Sequence, residues 1–285
     1  MKKTFIFTLF VASFIFSCAK KEFYPKDIYY QGIKAYQKGD YETAKEYLKK
    51  AIYKAKGMTL EDEMKAKFAL ADAYFKLKMY IDAIVEFEEY ISLYPTAPNI
   101  PEALYKLSIS YLKISPDYER DLTYAQKALE KAQELIINYP DSPYAKKAKK
   151  IITAVKTKEA KHYKAVADLY YHLGKNYSAA FYYDFLLKKY YPYIDVKKIK
   201  YLLAINLLKA ENQYKDQIKE YKRKISQLDK KINAEKDIEK KNVLLNRKKL
   251  LENQLSTLEK RIKESNIRGQ KILKELSKKS LKIEN

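Results

Sequence analysis

Between Ala66 and Pro95 the chain reads AKFALADAYFKLKMYIDAIVEFEEYISLYP, with apolar residues every three or four positions and no internal Gly or Pro. Phe68, Ala71, Tyr74 and Phe75 share one helical face, and Ala83, Ile84, Phe87, Tyr90 and Ile91 share another. Lys78 and Met79 interrupt the pattern, which predicts two antiparallel helices joined by a tight turn. Pro95 ends the second helix, because proline lacks an N–H and restricts the residue before it. Small Ala71 and Ala83 fall where the two helices must approach closely, with Tyr74, Tyr80 and Phe87 filling the space around them.

The pattern repeats. Residues 27–52 form a first hairpin, with Gly32 allowing close helix contact, Gly39-Asp40-Tyr41 as the turn and Ala44, Leu48 and Ala51 lining the return helix. A third follows Pro101 through Leu104, Leu107, Tyr111 and Leu112, then Ala125, Ala128, Ala132 and Leu135, with a long connection over 115–123. A spacer helix over 144–155 leads to a fourth, where Val166, Leu169, Tyr170 and Tyr171 precede a turn at Gly174, followed by Tyr177, Ala180 and Leu187. A fifth starts near Val196 with Ile199, Leu202, Leu203 and Leu207. Helical hairpins of this size, each unable to bury its apolar face alone, are the residue logic of tetratricopeptide (TPR) repeats. The fold class is therefore all-α, a TPR-like helical-hairpin solenoid of about five repeats.

From Tyr214 the period changes. Tyr214, Ile218, Tyr221, Ile225, Leu228 and Ile232 alternate steps of four and three, a coiled-coil seam. The seam fails over 233–242 and returns at Leu244, Leu251, Leu255, Leu258 and Ile262, with Lys248 as a misfit. Two seams around a charged break predict an antiparallel helical hairpin whose second arm is capped by Asp237; one continuous dimeric coil is the rival. After Gly269 the tail reads as a frayed helix. The domain plan is a leader at 1–17, a tether at 18–26, a repeat domain at 27–212 and a coiled-coil extension at 213–285.

The leader rests on a short positive start, Lys2-Lys3, and the apolar run FIFTLFVASFIF, which is too short to span a bilayer and reads as a signal peptide. Ile15-Phe16-Ser17-Cys18 resembles a bacterial lipobox, Phe16 being bulkier than usual there. A thiol at Cys18 can carry a diacylglycerol thioether, and several acyl chains together give stable anchoring. Ala19, in place of an acidic residue, favours the outer membrane by resemblance to lipoprotein sorting signals. As Cys18 is the only cysteine, no intramolecular disulfide forms.

Composition narrows function more than fold. The formal charge is +22, two less without Lys2 and Lys3. That excess suits acidic partners, anionic lipid or nucleic acid, but no basic-aromatic nucleic-acid motif accompanies it, and lysines alternating with glutamates describe a solvated surface equally well. His162 and His172 lie apart from any ligand cluster, and scattered glycines build no phosphate-cradling loop. The reading is a binding protein without cofactor or metal, not an enzyme. Its candidate groove is lined by the first helix of each hairpin, at Tyr29, Ile33, Tyr36, Phe68, Phe75, Lys76, Tyr105, Leu112 and Lys113. Aromatics with interspersed lysines suit an extended peptide carrying apolar side chains and a carboxylate.

Assembled, these features resemble the BamD (YfiO) family of TPR lipoproteins in the outer-membrane β-barrel assembly machinery. The resemblance spans roughly 21–217. It is carried by Pro95-Thr96-Ala97-Pro98-Asn99-Ile100, similar to the family's PTxPNI joint, and by Tyr139-Pro140-Asp141-Ser142-Pro143-Tyr144, similar to its YPxSxY. Glu119-Arg120-Asp121 falls where the family has an acidic, Arg-containing insertion. Val166-Ala167, Tyr170-Tyr171, Tyr177 and Ala179-Ala180 follow its VAxYY…YxAA spacing. The resemblance implies a lipid-anchored protein on the periplasmic face of the outer membrane. Its N-terminal hairpins would receive unfolded outer-membrane proteins by their aromatic-ended C-terminal strand, and its C-terminal hairpins would dock the barrel-forming assembly subunit. Partner-docking candidates are Tyr177, Tyr182, Tyr183, Lys188 and Lys189; Tyr182-Tyr183 stand where the family usually has an Asn-Arg pair. The extension beyond Gln217 is also unlike family members that end after the fifth hairpin. It motivates an alternative, a structural lipoprotein linking the outer membrane to the cell wall or division machinery.

Overall fold

The computed structural model describes residues 25–54 and 58–281, so the leader, Cys18 and most of the tether lie outside the described residues. Among the described residues there are eleven α-helices, one short 3-10 turn and no strand. Internal contacts divide the chain into two units, the boundary falling between Tyr94 and Pro95.

The first unit holds α1 (Pro25–Gln37), α2 (Tyr41–Lys54), α3 (Leu60–Lys76) and α4 (Tyr80–Leu93). Helix α1 packs on α2 and α3, α2 on α3, and α3 on α4. Gly32 lets α1 and α2 meet closely: a Cβ there would stand 2.9 Å from Leu48 side-chain atoms. Thr59 caps α3 by accepting from the Asp62 N–H at 3.1 Å, and Glu61, Asp62 and Glu63 complement the helix dipole. Leu48, Leu70 and Phe87 are fully buried, each stabilising the unit by about 2–3 kcal/mol through removal from water.

The turns share one design. Gly39 (φ +80°) and Gly174 (φ +69°) are left-handed, and each following N–H reaches back five residues, Asp40 to Ala35 O and Lys175 to Tyr170 O. Lys78 occupies the same place with φ 61°, and the Met79 N–H donates to Tyr74 O at 2.9 Å. A lysine here carries a steric penalty that glycine avoids.

The second unit holds α5 (Ile100–Ile114), α6 (Thr123–Asn138), α7 (Pro143–His172), α8 (Asn176–Lys189), the 3-10 turn Tyr191–Tyr193, α9 (Val196–Leu208), α10 (Ala210–Ala234) and α11 (Ile238–Leu281). The expected spacer helix and the first helix of the fourth hairpin are one 30-residue helix, α7. Nothing breaks it, since Ala145, Ala148, Ile151, Val155 and Glu159 continue one buried stripe at steps of three and four, with Ala160 beside it. Its first half packs on α5 and α6, and α8 pairs with it in turn. It also pins the long 115–122 connection. Lys158 Nζ donates to Ser115 Oγ at 2.8 Å, and His162 Nδ1 donates to Tyr118 O at 2.6 Å.

Helices α10 and α11 form the antiparallel hairpin within one chain. Asp237 caps α11 by accepting from the Glu239 and Lys240 N–H groups at 2.9 and 3.1 Å. Lys248, the misfit in the seam, reaches across to Asp229 at 2.6 Å. The end of the chain differs from expectation. Helix α11 does not fray after Gly269 but runs 44 residues to Leu281 and packs on α9. Gly269 is a contact residue there, because a Cβ would stand 2.9 Å from Ala204 O and 3.0 Å from Leu208 Cγ. Ile272, one turn further, packs against the core of the fourth and fifth hairpins.

Candidate partner-binding surfaces

In the first unit, Ile33, Tyr36, Phe68 and Phe75 are half-buried and Lys76 is exposed. Tyr36 donates its hydroxyl proton to Asp72 Oδ2 at 2.5 Å, tying α1 to α3. Phe68 lies edge-on to Phe87 at 6.2 Å and 5.4 Å from Tyr90, so one side of its ring belongs to the α3–α4 contact. Phe75 meets Tyr80 edge-on at 6.0 Å. Tyr29 is a correction: at 4 % exposure it is a core residue and offers no face to a ligand. Burial, with Asp62 beside it, pushes its phenol up from the ordinary value.

The same unit holds a charged cluster, around the buried Lys67, that the repeat pattern does not announce. Lys67, 3 % exposed, pairs with Glu89 at 2.7 Å and stands 5.1 Å from the centre of the Tyr53 ring. The Tyr53 hydroxyl donates to Glu86 and Glu89 at 3.2 Å. Burial raises the Glu86 pKa, opposed by the Tyr53 hydrogen bond and the Lys67 charge. The cluster links α2, α3 and α4 and so holds α3 in place.

In the second unit, Tyr105 packs on Tyr144 at 5.5 Å with Lys147 over both rings, Leu112 is half-buried and Lys113 is exposed. Of the docking candidates, Lys188 and Lys189 are exposed, while Tyr177 and Tyr182 are half-buried. Tyr182 stacks on Tyr170 at 5.5 Å and 12°, and Lys189 lies over Phe185 and Tyr190. Tyr183 is the second correction. At 1 % exposure it sits in the core, donating its hydroxyl to Asp168 at 2.6 Å, so its place in the surface pattern was misleading. The face of α8 turns Phe181 and Lys188 outward instead, with the half-buried Asp184 between them. Asp184 is paired with Lys188 at 2.7 Å and with Arg268 of α11. Burial raises its pKa, but hydrogen bonds from Lys188 and Arg268 outweigh that and hold it below the usual carboxylate range. Sequence reading missed Phe181, Arg261 and Arg268. The available signal was the rarity of arginine in a chain whose cations are almost all lysine.

No group of three or more His, Cys, Asp or Glu among the described residues is arranged to hold a metal ion, and no described helix is long and apolar enough to cross a membrane.

Similarity to known proteins covers most of the chain. A protein named as an outer membrane protein assembly factor, BamD, in Aquifex aeolicus is 32 % identical over 242 residues, covering 85 % of this chain and 79 % of its own. The assembly factor BamD of Pasteurella multocida is 26 % identical over 182 residues, 59 % of this chain and 69 % of its own. The solved TPR domain of P58(IPK) superposes with a TM-score of 0.39 at 17 % identity, over 88 % of this chain and 66 % of that one. At that level the TPR-like assignment rests on the helix pairing described above. The family described as outer membrane lipoprotein, YfiO, matches residues 21–222, from before α1 into α10. This chain belongs to the YfiO (BamD) family of outer membrane lipoproteins.

Proposed function

We propose that the chain is a non-catalytic component of the outer-membrane β-barrel assembly complex, anchored to the periplasmic face of that membrane through lipid on Cys18. The observation that carries this reading is the family match over 21–222, which takes in every repeat hairpin. In the first unit, the surface around Ile33, Tyr36, Phe68, Phe75 and Lys76 receives the aromatic-ended strand of an unfolded barrel protein, with Lys76 meeting its terminal carboxylate. Tyr105, Leu112 and Lys113 offer the same chemistry in the second unit. The barrel-forming subunit docks through its periplasmic domains on α8, at Tyr177, Tyr182, Lys188 and Lys189.

Depletion of the protein should lower the abundance of outer-membrane barrel proteins, and affinity purification should recover the barrel-forming subunit. Normal barrel levels after full depletion would overturn the reading. Replacing Cys18 with Ser should release the protein from the membrane fraction. The α10–α11 hairpin favours a second reading, a structural link to the cell wall. In that case intact cell wall captures the full chain but not one lacking 211–285.

A further inference from the structure

Where α11 packs along α10 and folds back onto α9, it leaves two clefts. One, of ≈ 330 Å³, lies between α8, α9 and α11 and is lined by Tyr177, Phe181, Asp184, Lys188, Arg261 and Arg268, among others. The other, of ≈ 320 Å³, lies between α10 and α11, with Gln217, Tyr221, Asn253, Gln254 and Thr257 on its walls. Arg261 borders both, so the two clefts meet at its side chain, one on the extension and the other reaching the repeat helix α8.

The two halves differ in chemistry. Side-chain amides of Gln217, Asn253 and Gln254 line the first; each carries donors and an acceptor, the match for the main chain of an extended polypeptide. Cations and rings line the second. The Arg261 guanidinium stands 5.7 Å from the Tyr177 ring centre, and Tyr177 in turn meets Tyr214 edge-on at 5.9 Å. Phe181 lines this half at 63 % exposure, an uncovered aromatic ring in a cleft with three cations. Lys188 and Arg268 share one carboxylate, Asp184, and Glu264 is the only other acid lining the cleft. Arginine rather than lysine at 261 and 268 matters, since a planar fork binds a carboxylate through two hydrogen bonds.

We infer that the C-terminal extension is part of the partner-docking surface, and that the groove it makes with α8 binds an extended, acidic polypeptide segment bearing an aromatic or large aliphatic side chain. The segment's main chain lies along the amides, its carboxylates meet Arg261 and the Arg268–Lys188 pair, and its apolar side chain covers Phe181. This rests on the proposed docking of a protein partner at α8 and adds what recognises it. Gly269 makes the groove possible, because only a residue without a side chain lets α11 lie this close to α9.

The test measures binding of the full mature chain to the recombinant periplasmic domains of the barrel-forming assembly subunit. Arg261→Glu should weaken binding by about tenfold or more and reduce its salt dependence, and Phe181→Ala should weaken it by roughly fivefold. Arg261→Lys should fall between wild type and Arg261→Glu. Both side chains are exposed, so circular dichroism should show the helix content of both variants unchanged. Tight wild-type binding that neither variant alters overturns this inference and leaves docking on α8 intact. Absence of wild-type binding overturns both. Self-association of the wild-type chain that Arg261→Glu abolishes would assign the groove to a second copy and also overturn it.

Discussion

The helix pairs α7–α8 and α10–α11 are both long and antiparallel, yet different forces hold them. The first buries Ala167, Ala179, Ala180, Tyr183, Leu186 and Tyr190 in a core that α9 closes from another side. The second has one seam, in which Leu228, Ile232, Leu258 and Ile262 each keep 7 % exposure, and exchanges charge along its flanks through Lys248–Asp229 and Lys222–Glu259. A repeat hairpin is thus stabilised by neighbours on several faces, whereas the arm depends on one row of contacts and on its attachment to α9. Surface ion pairs add little to that row. The arm is therefore expected to open before the repeats do.

The largest test of this contrast is a pair of truncations. Leu186→Ala, at a position with no exposure, should cost about 3–4 kcal/mol, and Leu258→Ala about 1–2 kcal/mol, read from denaturation midpoints. Equal losses would erase the distinction. Next comes the attachment. Gly269→Val drives a side chain into Ala204 O and Leu208 and should cost about 2–3 kcal/mol, with hydrogen exchange accelerating in α9 and the last turns of α11 but not in α3. A smaller effect of opposite sign is expected in the turns. Using the Gly174 turn of α7–α8 as the reference, Lys78→Gly should raise stability by about 1 kcal/mol because it relieves the left-handed strain at φ 61°.

The smallest effect concerns pH. The folded-state pKa of Asp184 is depressed, so its pairing with Lys188 and Arg268 contributes fully above the ordinary carboxylate value and is lost as pH falls through the lowered one. Melting followed from about pH 6 to about pH 3 should therefore show an acid loss in the wild type that Asp184→Asn flattens. Glu86 has the opposite sign. Its raised value makes the first unit slightly less stable as pH rises from the ordinary carboxylate range, a slope that Glu86→Gln removes.

Much of the architecture was legible from residue spacing. The steps of three and four located nearly every helix. The seam over 214–232 and 244–262 predicted the hairpin, and Asp237 marked its second start, because a cap acts on N–H groups two or three residues away. These features are local, so neighbours in sequence are enough to define them. Which aromatic faces solvent was not legible: Tyr182 and Tyr183 are adjacent and similar, yet one stacks at the surface and the other is sealed beneath it.

The family joints, the paired helices and the capped hairpin followed from the chain itself, since propensity, period and capping are short-range. The return of α11 onto α9, the joining of Arg268 to Asp184 across 84 residues and the burial of Lys67 were decided only in three dimensions. The reason is physical. Gly269 reads in sequence as a helix breaker, and only when a second helix lies within a van der Waals radius does its missing side chain become the feature that holds the two together.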